Sequence, residues 1–166
     1  MARTEASDPL HNFRFHVRTE TEVGQWSDSD QGEAGFQSVT LPEVSVEVSE
    51  YKEGHHTYTR KFPGLPTVSN MTLMRGVTKR DTAFFDWVNL AIRGGEYRTH
   101  LTVYHWHRDG KTYGQIADLN SARKYQCYEC LPSRVKPGAD LDSTSSEVSL
   151  SEVDVEVEYF EIENAT

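Results

Sequence analysis

Only two cysteines, Cys127 and Cys130, occur in this chain of 166 residues. Two do not make a disulfide framework, and nothing points to an oxidising compartment. No run approaches the ~18 consecutive apolar residues of a membrane span. The N-terminus, M-A-R-T-E-A-S-D-P, lacks the apolar core of a signal peptide, so synthesis in the cytoplasm is expected. There is no glycine-rich phosphate loop and no nucleophile elbow. Apolar residues are also sparse. At 36%, even with 11 Gly added, they fall below the ~45–50% of an average globular domain. Long loops would give this value, and so would a subunit that completes its burial by assembling. The length suits one domain and suffices to bury roughly 70% of the unfolded surface without staples.

Basic residues are missing from one region altogether. Residues 140–166 hold Asp140, Asp142, Glu147, Glu152, Asp154, Glu156, Glu158, Glu161 and Glu163, with no Lys or Arg. Those nine are the whole of the net charge of -9, since the other 17 acids face 17 basic residues. Nucleic-acid affinity needs basic patches, so sequence-specific nucleic-acid binding is not expected. An acidic tail is ordinarily solvated. Here the acids alternate with Val153, Val155, Val157 and Tyr159, which is the period of a strand.

Residues 1–10 read as a flexible N-terminal arm, and 11–166 as a single β domain. Asn12–Thr21 alternates, with Phe13, Phe15 and Val17 on one face. Glu22–Gly35 reads as a loop. In Phe36–Tyr51 the alternation directs Val44, Val46 and Val48 to the core. Lys52–Pro66 reads as a charged hairpin, in which Tyr58–Phe62 extends and Pro63-Gly64-Leu65-Pro66 turns. Val68–Gly76 is the next strand, with Met71 and Leu73 on one face. Asp81–Ile92 is the one helix, with Phe84, Trp87, Val88, Ala91 and Ile92 at helical spacing. Thr78 or Asp81 would cap it, and Gly94-Gly95 would stop it. Tyr97–His107 alternates towards an Asp109-Gly110 hairpin turn, and Thr112–Leu119 returns. Arg123–Leu131 is a further strand, Pro132–Ser143 a loop, and Glu147–Ile162 a terminal strand or hairpin. Its alternation slips between Leu150 and Val153, as across a β-bulge. No internal repeat is present.

The chemistry-bearing residues give weak signals. Cys127-Tyr-Glu-Cys130 with His105 and His107 has the look of a zinc set, but there is one CxxC only. On a regular strand residues three apart point to opposite faces, so the two thiols would diverge and stay unlinked. His55-His56 is expected to face solvent. His100, His105 and His107 have no nucleophile to serve. Acids at 152–158 would stand in a row ~6.8 Å apart, not converge as calcium ligands do. No catalytic residue, metal or cofactor is expected.

Four segments carry a family resemblance. V-E-V-S-E-Y-K-E-G from Val46 precedes R-K-F-P-G-L-P, then N-M-T-L-M-R-G-V-T, then D-T-A-F-F-D-W ending at Trp87. Arg123–Pro132 (R-K-Y-Q-C-Y-E-C-L-P) and Asp140–Leu150 (D-L-D-S-T-S-S-E-V-S-L) extend the match to most of Asp8–Ile162. In this order the chain resembles the tail tube (inner tube) proteins of contractile phage tails and extracellular contractile injection systems. The resemblance implies a mainly β, antiparallel sandwich or barrel-like fold with one flanking α-helix. It also implies a structural subunit, not an enzyme, forming hexameric rings that stack into rods around a channel for DNA or protein cargo. Partners would be further copies of the chain, with sheath, baseplate and tube-terminator proteins, in a phage tail or released injection particle. A tube-initiator ring at the baseplate, or a monomeric β-sandwich binding module with an acidic C-terminal strand, are the alternatives.

Within that reading the hairpin is the candidate contact between subunits and rings: Glu50, Tyr51, Lys52, Glu53, Gly54, Lys61, Pro63 and Gly64. Glu152, Asp154, Glu156 and Glu158 are the candidate channel-facing acids. They would lie opposite the valines and either face water or meet basic residues of a neighbour, because burying unpaired carboxylates is costly.

Overall fold

The structure, a computed structural model, describes residues 9–19, 36–79, 82–106 and 122–164. Nine strands and one helix lie within them. They are β1 (Phe15–Thr19), β2 (Phe36–Thr40), β3 (Val44–Tyr51), β4 (Arg60–Val68), β5 (Met71–Gly76), α1 (Ala83–Arg93), β6 (Thr99–His105), β7 (Arg123–Lys136), β8 (Leu150–Glu156) and β9 (Tyr159–Glu163). The loop expected at 22–35, the turn at Asp109-Gly110 and the strand at Thr112–Leu119 lie outside the described residues.

The fold is mainly antiparallel β with one helix, as expected. Seven strands form one sheet in the order β1-β6-β7-β8-β5-β2, with β9 added against β7. Among the described strands, β3 and β4 pair only with each other. β7, at 14 residues, spans two neighbourhoods. Its first half lies between β6 and β9, and its second half pairs with β8.

The passage from one half to the other is a bulge. Thr99 faces Cys130 and Leu101 faces Cys127, so Tyr128 and Glu129 together oppose His100 alone. Glu129 has φ 53, the left-handed region that a side chain seldom adopts. Its N–H donates to His100 Nδ1 at 3.1 Å. The extra residue reverses the alternation, so Cys127 and Cys130 both face the core, fully buried. The expectation that the thiols diverge is thereby corrected. β7 also runs on through Pro132 to Lys136 where a loop was expected, with a second register shift between Pro132 and Arg134.

The core is built from alternate residues of the sheet closed by one helix face. Met71 and Leu73 of β5, Val153 and Val155 of β8, Leu101 of β6 and Trp87 of α1 are fully buried. The helix packs against β7 and β8. Trp87 pins it by donating from Nε1 to Tyr97 O at 2.6 Å. Phe84 and Trp87 are buried as the spacing predicts, whereas Ile92 is exposed on the last turn. The N-cap is Thr82, not Thr78, and it makes no side-chain cap bond; Asp81 lies outside the described residues. Thr82 Oγ1 donates instead to Asp86 Oδ2 at 2.8 Å. Gly94 at φ 76 ends the helix, and Gly95 N–H returns to Leu90 O at 2.9 Å.

Three further expectations change. Val44, Val46 and Val48 are exposed, because no element among the described residues covers either face of the β3–β4 ribbon. Pro63-Gly64-Leu65-Pro66 is not a turn but the interior of β4. There a register shift lets Gly64 and Leu65 oppose Glu47. Gly64 is required, since a Cβ would stand 2.9 Å from Glu47 O. In β8 the slip after Leu150 is no bulge: β5 and β8 pair without interruption from Met71–Val155 to Gly76–Leu150. Buried Ser151 simply fills an inward position that an apolar residue would ordinarily take, donating to Arg75 O at 3.4 Å.

Removing Leu73 should test this core directly. Leu73→Ala is expected to destabilise the fold by about 2–5 kcal/mol, as for other fully buried leucines. The midpoint of urea unfolding followed by tryptophan fluorescence checks it.

Candidate assembly surface

The β3–β4 ribbon leaves the body at Glu43 and Ser69. Ser69 N–H donates to Glu43 O at 2.8 Å, and Glu43 N–H to Ser69 Oγ at 2.8 Å. Beyond this root nearly every residue is exposed on both faces. Of the predicted contact residues, Glu50 pairs with Lys61 across the strands, and Tyr51 with Arg60. Pro63 faces Val48 and Gly64 lies in the bulge. Lys52, Glu53 and Gly54 begin the connection 52–59 at the far end. The surface carries apolar groups that water does not favour: Tyr58 is 85% exposed and Leu65 75%, alongside Val44, Val48 and Phe62. A two-stranded hairpin is marginal in water by itself, and contiguous exposed apolar area marks contact surfaces.

The turn at the far end gathers side chains that sequence reading left apart. His56 N–H donates to Glu53 O at 3.1 Å, closing a four-residue turn. Glu53 Oε2 then lies 3.5 Å from His55 Nε2 and 3.3 Å from His56 Nε2. Arg60 reaches His56 Nε2 at 3.0 Å and Glu53 Oε1 at 3.7 Å. E-G-H-H with Arg four residues further on is the local signal, but only the turn makes it converge.

The acids of β8 are less isolated than their segment composition suggests. Glu152 and Asp154 do point away from the buried valines. Arg134, brought alongside by the β7–β8 pairing, donates from Nε to Asp154 Oδ2 at 2.7 Å and lies 3.0 Å from Glu152 Oε1. Thr72 Oγ1 also donates to Asp154, at 3.0 Å. Hydrogen bonding to Arg134, above all, holds the Asp154 carboxyl below the ordinary carboxylate range. The same pair raises the arginine. Glu158 follows β8 and meets Arg98 at 2.6 Å, while Glu156 is exposed at the strand end. Three of the four acids thus have an arginine within the chain, although residues 140–166 contain none.

The remaining chemistry is structural. His100 accepts a backbone N–H, and the His105 ring bonds His11 O at 2.8 Å. His107 lies outside the described residues. Burial pushes the Cys127 and Cys130 thiols up to about 12. Cys130 Sγ donates to Cys127 O at 3.5 Å. Arg75 is buried with its guanidinium 4.3 Å above the Phe84 ring, a cation–π contact under the helix. No helix among the described residues is long and apolar enough to cross a membrane.

A mainly β body with one helix and a protruding ribbon can now be set beside known proteins. The sequence pattern of the T4-like virus tail tube protein gp19 family matches residues 11–161. The chain belongs to this tail tube family. Among solved structures, a chain in the extended sheath–tube complex of an extracellular contractile injection system, PVC, superposes with a TM-score of 0.75. It is 20% identical, and the match covers 99% of this chain and 100% of that one. A chain from the PVC sheath/tube terminator gives 0.72 at 21% identity, covering 95% and 99%. One from the anti-feeding prophage tube-terminating cap gives 0.73 at 19%, covering 99% and 97%. No curated protein matches the chain significantly. The tail tube chain is therefore a structural component by family, and its fold is that of tube and terminator complexes.

Two measurements follow from this geometry. Native protein at pH 8 should leave an aromatic disulfide reagent unconsumed, while unfolded protein should titrate two thiols; absorbance of the released thiolate reads both. Because the folded pKa of Asp154 is depressed, its contribution is complete above the unfolded value, near ~4, and is lost as pH falls through the folded value. The pH-dependent part of the stability difference between the natural chain and Arg134→Gln should accordingly be full above pH ~5 and shrink below ~4. Urea unfolding across that range checks it.

Proposed function

We propose that the chain is an inner tube subunit that forms hexameric rings, and that the rings stack into a rod around a channel carrying DNA or protein. The observation that supports this most is the β3–β4 ribbon. Among the described residues its faces are exposed and its outer edges pair with no other strand, on a body with its own buried core. Exposed strand edges seek partners, and a head-to-tail contact related by rotation closes a ring. Stacking is head to tail as well but does not close, so it yields a rod.

In this reading residues 11–166 act as one tube domain behind an arm formed by 1–10. Glu50, Tyr51, Lys52, Glu53, Gly54, Lys61, Pro63 and Gly64 contact the neighbouring subunit or ring. Helix α1 lies outside, away from the channel. Glu152, Asp154, Glu156 and Glu158 face water on the channel wall, where their charge would repel phosphates and acidic cargo and keep either sliding. Their pairing with Arg134 and Arg98 softens that field and leaves Glu156 as its least compensated member. Sheath, baseplate and terminator proteins are the further partners. A second reading, a ring that starts or ends the tube, draws support from the comparable fold likeness to the terminator and cap chains.

Assembly separates these. Concentrated full-length protein should show hexameric rings and rods by negative-stain electron microscopy. Deleting Glu53–Thr59 should leave the β circular dichroism signal intact and abolish rods. Rings that never stack would favour the initiator or terminator role, and strictly monomeric protein would reject the proposal.

A further inference from the structure

Glu53, His55 and His56 stand at the far end of the ribbon, away from the core, where their side chains serve no strand pairing. The geometry points to a binding site for a divalent transition metal of the zinc class, with Glu53 Oε2 and the Nε2 atoms of His55 and His56 as ligands. This goes beyond the tube reading and holds whether or not the chain assembles.

Distance is the first argument. Zinc bonds of ~2.0–2.1 Å in a tetrahedral arrangement place neighbouring donor atoms ~3.4 Å apart. Glu53 Oε2 already lies 3.5 and 3.3 Å from the two imidazole nitrogens. All three donors lie within 4.8 Å of one another. Two edges of the ligand triangle therefore have the required length before any ion arrives.

Rigidity and donor chemistry agree with it. The His56-to-Glu53 backbone bond fixes the turn, and the two imidazole rings stand 4.5 Å apart. The Glu53 carboxylate is only 27% exposed although it lies in a connection. Two imidazoles with one carboxylate suit borderline ions such as zinc, whereas calcium and magnesium demand oxygen. Three protein ligands leave a fourth position for water.

Arg60 supplies the second argument. A guanidinium only donates, so its 3.0 Å contact with His56 Nε2 is a hydrogen bond in the tautomer whose Nε2 carries a lone pair. That tautomer is the one a metal requires. Arg60 fills the place of a cation between His56 and Glu53, and a metal ion would displace it.

The test is zinc titration of the full-length protein by isothermal calorimetry, with cobalt absorption as a second readout. One equivalent per chain should bind, and the cobalt spectrum should lack the thiolate band that cysteine ligands produce. His55→Ala combined with His56→Ala should abolish that equivalent, and Arg60→Gln should tighten it by removing the competing cation. These side chains lie outside the core, and circular dichroism verifies that the variants fold. The proposal is overturned if the natural chain takes up no stoichiometric zinc, or if the double variant binds it equally well. Weaker binding by Arg60→Gln would overturn the displacement of Arg60.

Discussion

Two residues opposing one, Tyr128 and Glu129 against His100, set the course of the longest strand. On a regular 14-residue strand, residues three apart would face opposite sides, and Cys127 and Cys130 could not both enter the core. At Glu129 the backbone enters a region that costs a side-chain-bearing residue on the order of 1–3 kcal/mol. The compensation is local and visible. The displaced N–H finds His100, and both cysteines move into the apolar interior. Beyond the bulge β7 is free to pair with β8, which brings Arg134 beside Asp154 and Glu152 and places Val153 and Val155 against the helix layer. Core, helix seat and charge pairing all depend on that one irregularity.

The molecule is divided between a body that satisfies itself and a ribbon that does not. In the body, Met71, Leu73, Val153, Val155, Phe84 and Trp87 of β5, β8 and α1 are buried in one core. In the ribbon, Val44, Val46 and Val48 alternate just as regularly but meet no second layer among the described residues. The sparse apolar composition belongs to this arrangement: a chain that leaves a hairpin unburied needs fewer core residues. Family membership gives the pattern a context, since a tube is an assembly by definition.

What could be read from the sequence follows the range of the interactions concerned. The helix was legible because its spacing and its Gly-Gly stop are local, and so were Met71 and Leu73, whose alternation reflects a strand buried on that face. Alternation at Val44, Val46 and Val48 looked identical, yet it reports a strand's face and not what covers it. Pro63-Gly64-Leu65-Pro66 carried strong turn chemistry, but pairing with β3 recruited the same residues into a bulge. The thiols of Cys127 and Cys130 share a face only because of a bulge that pairing with β6 defines. The arginine partners of the C-terminal acids were invisible to a count by segment, because Arg134 and Arg98 arrive through topology. Glu53, His55 and His56 are neighbours in sequence, but their convergence needed the geometry of the turn.

The prolines of β4 make the ribbon chemically one-sided. β3 has a backbone N–H at every residue, whereas Pro63 and Pro66 deprive β4 of two. A strand arriving edge-on would find a fuller set of donors along β3 than along β4. Two ribbons meeting by their β4 edges would lack the donors of Pro63 and Pro66 on both sides. An interface built on this ribbon therefore has a direction written into its backbone, before any side chain is considered.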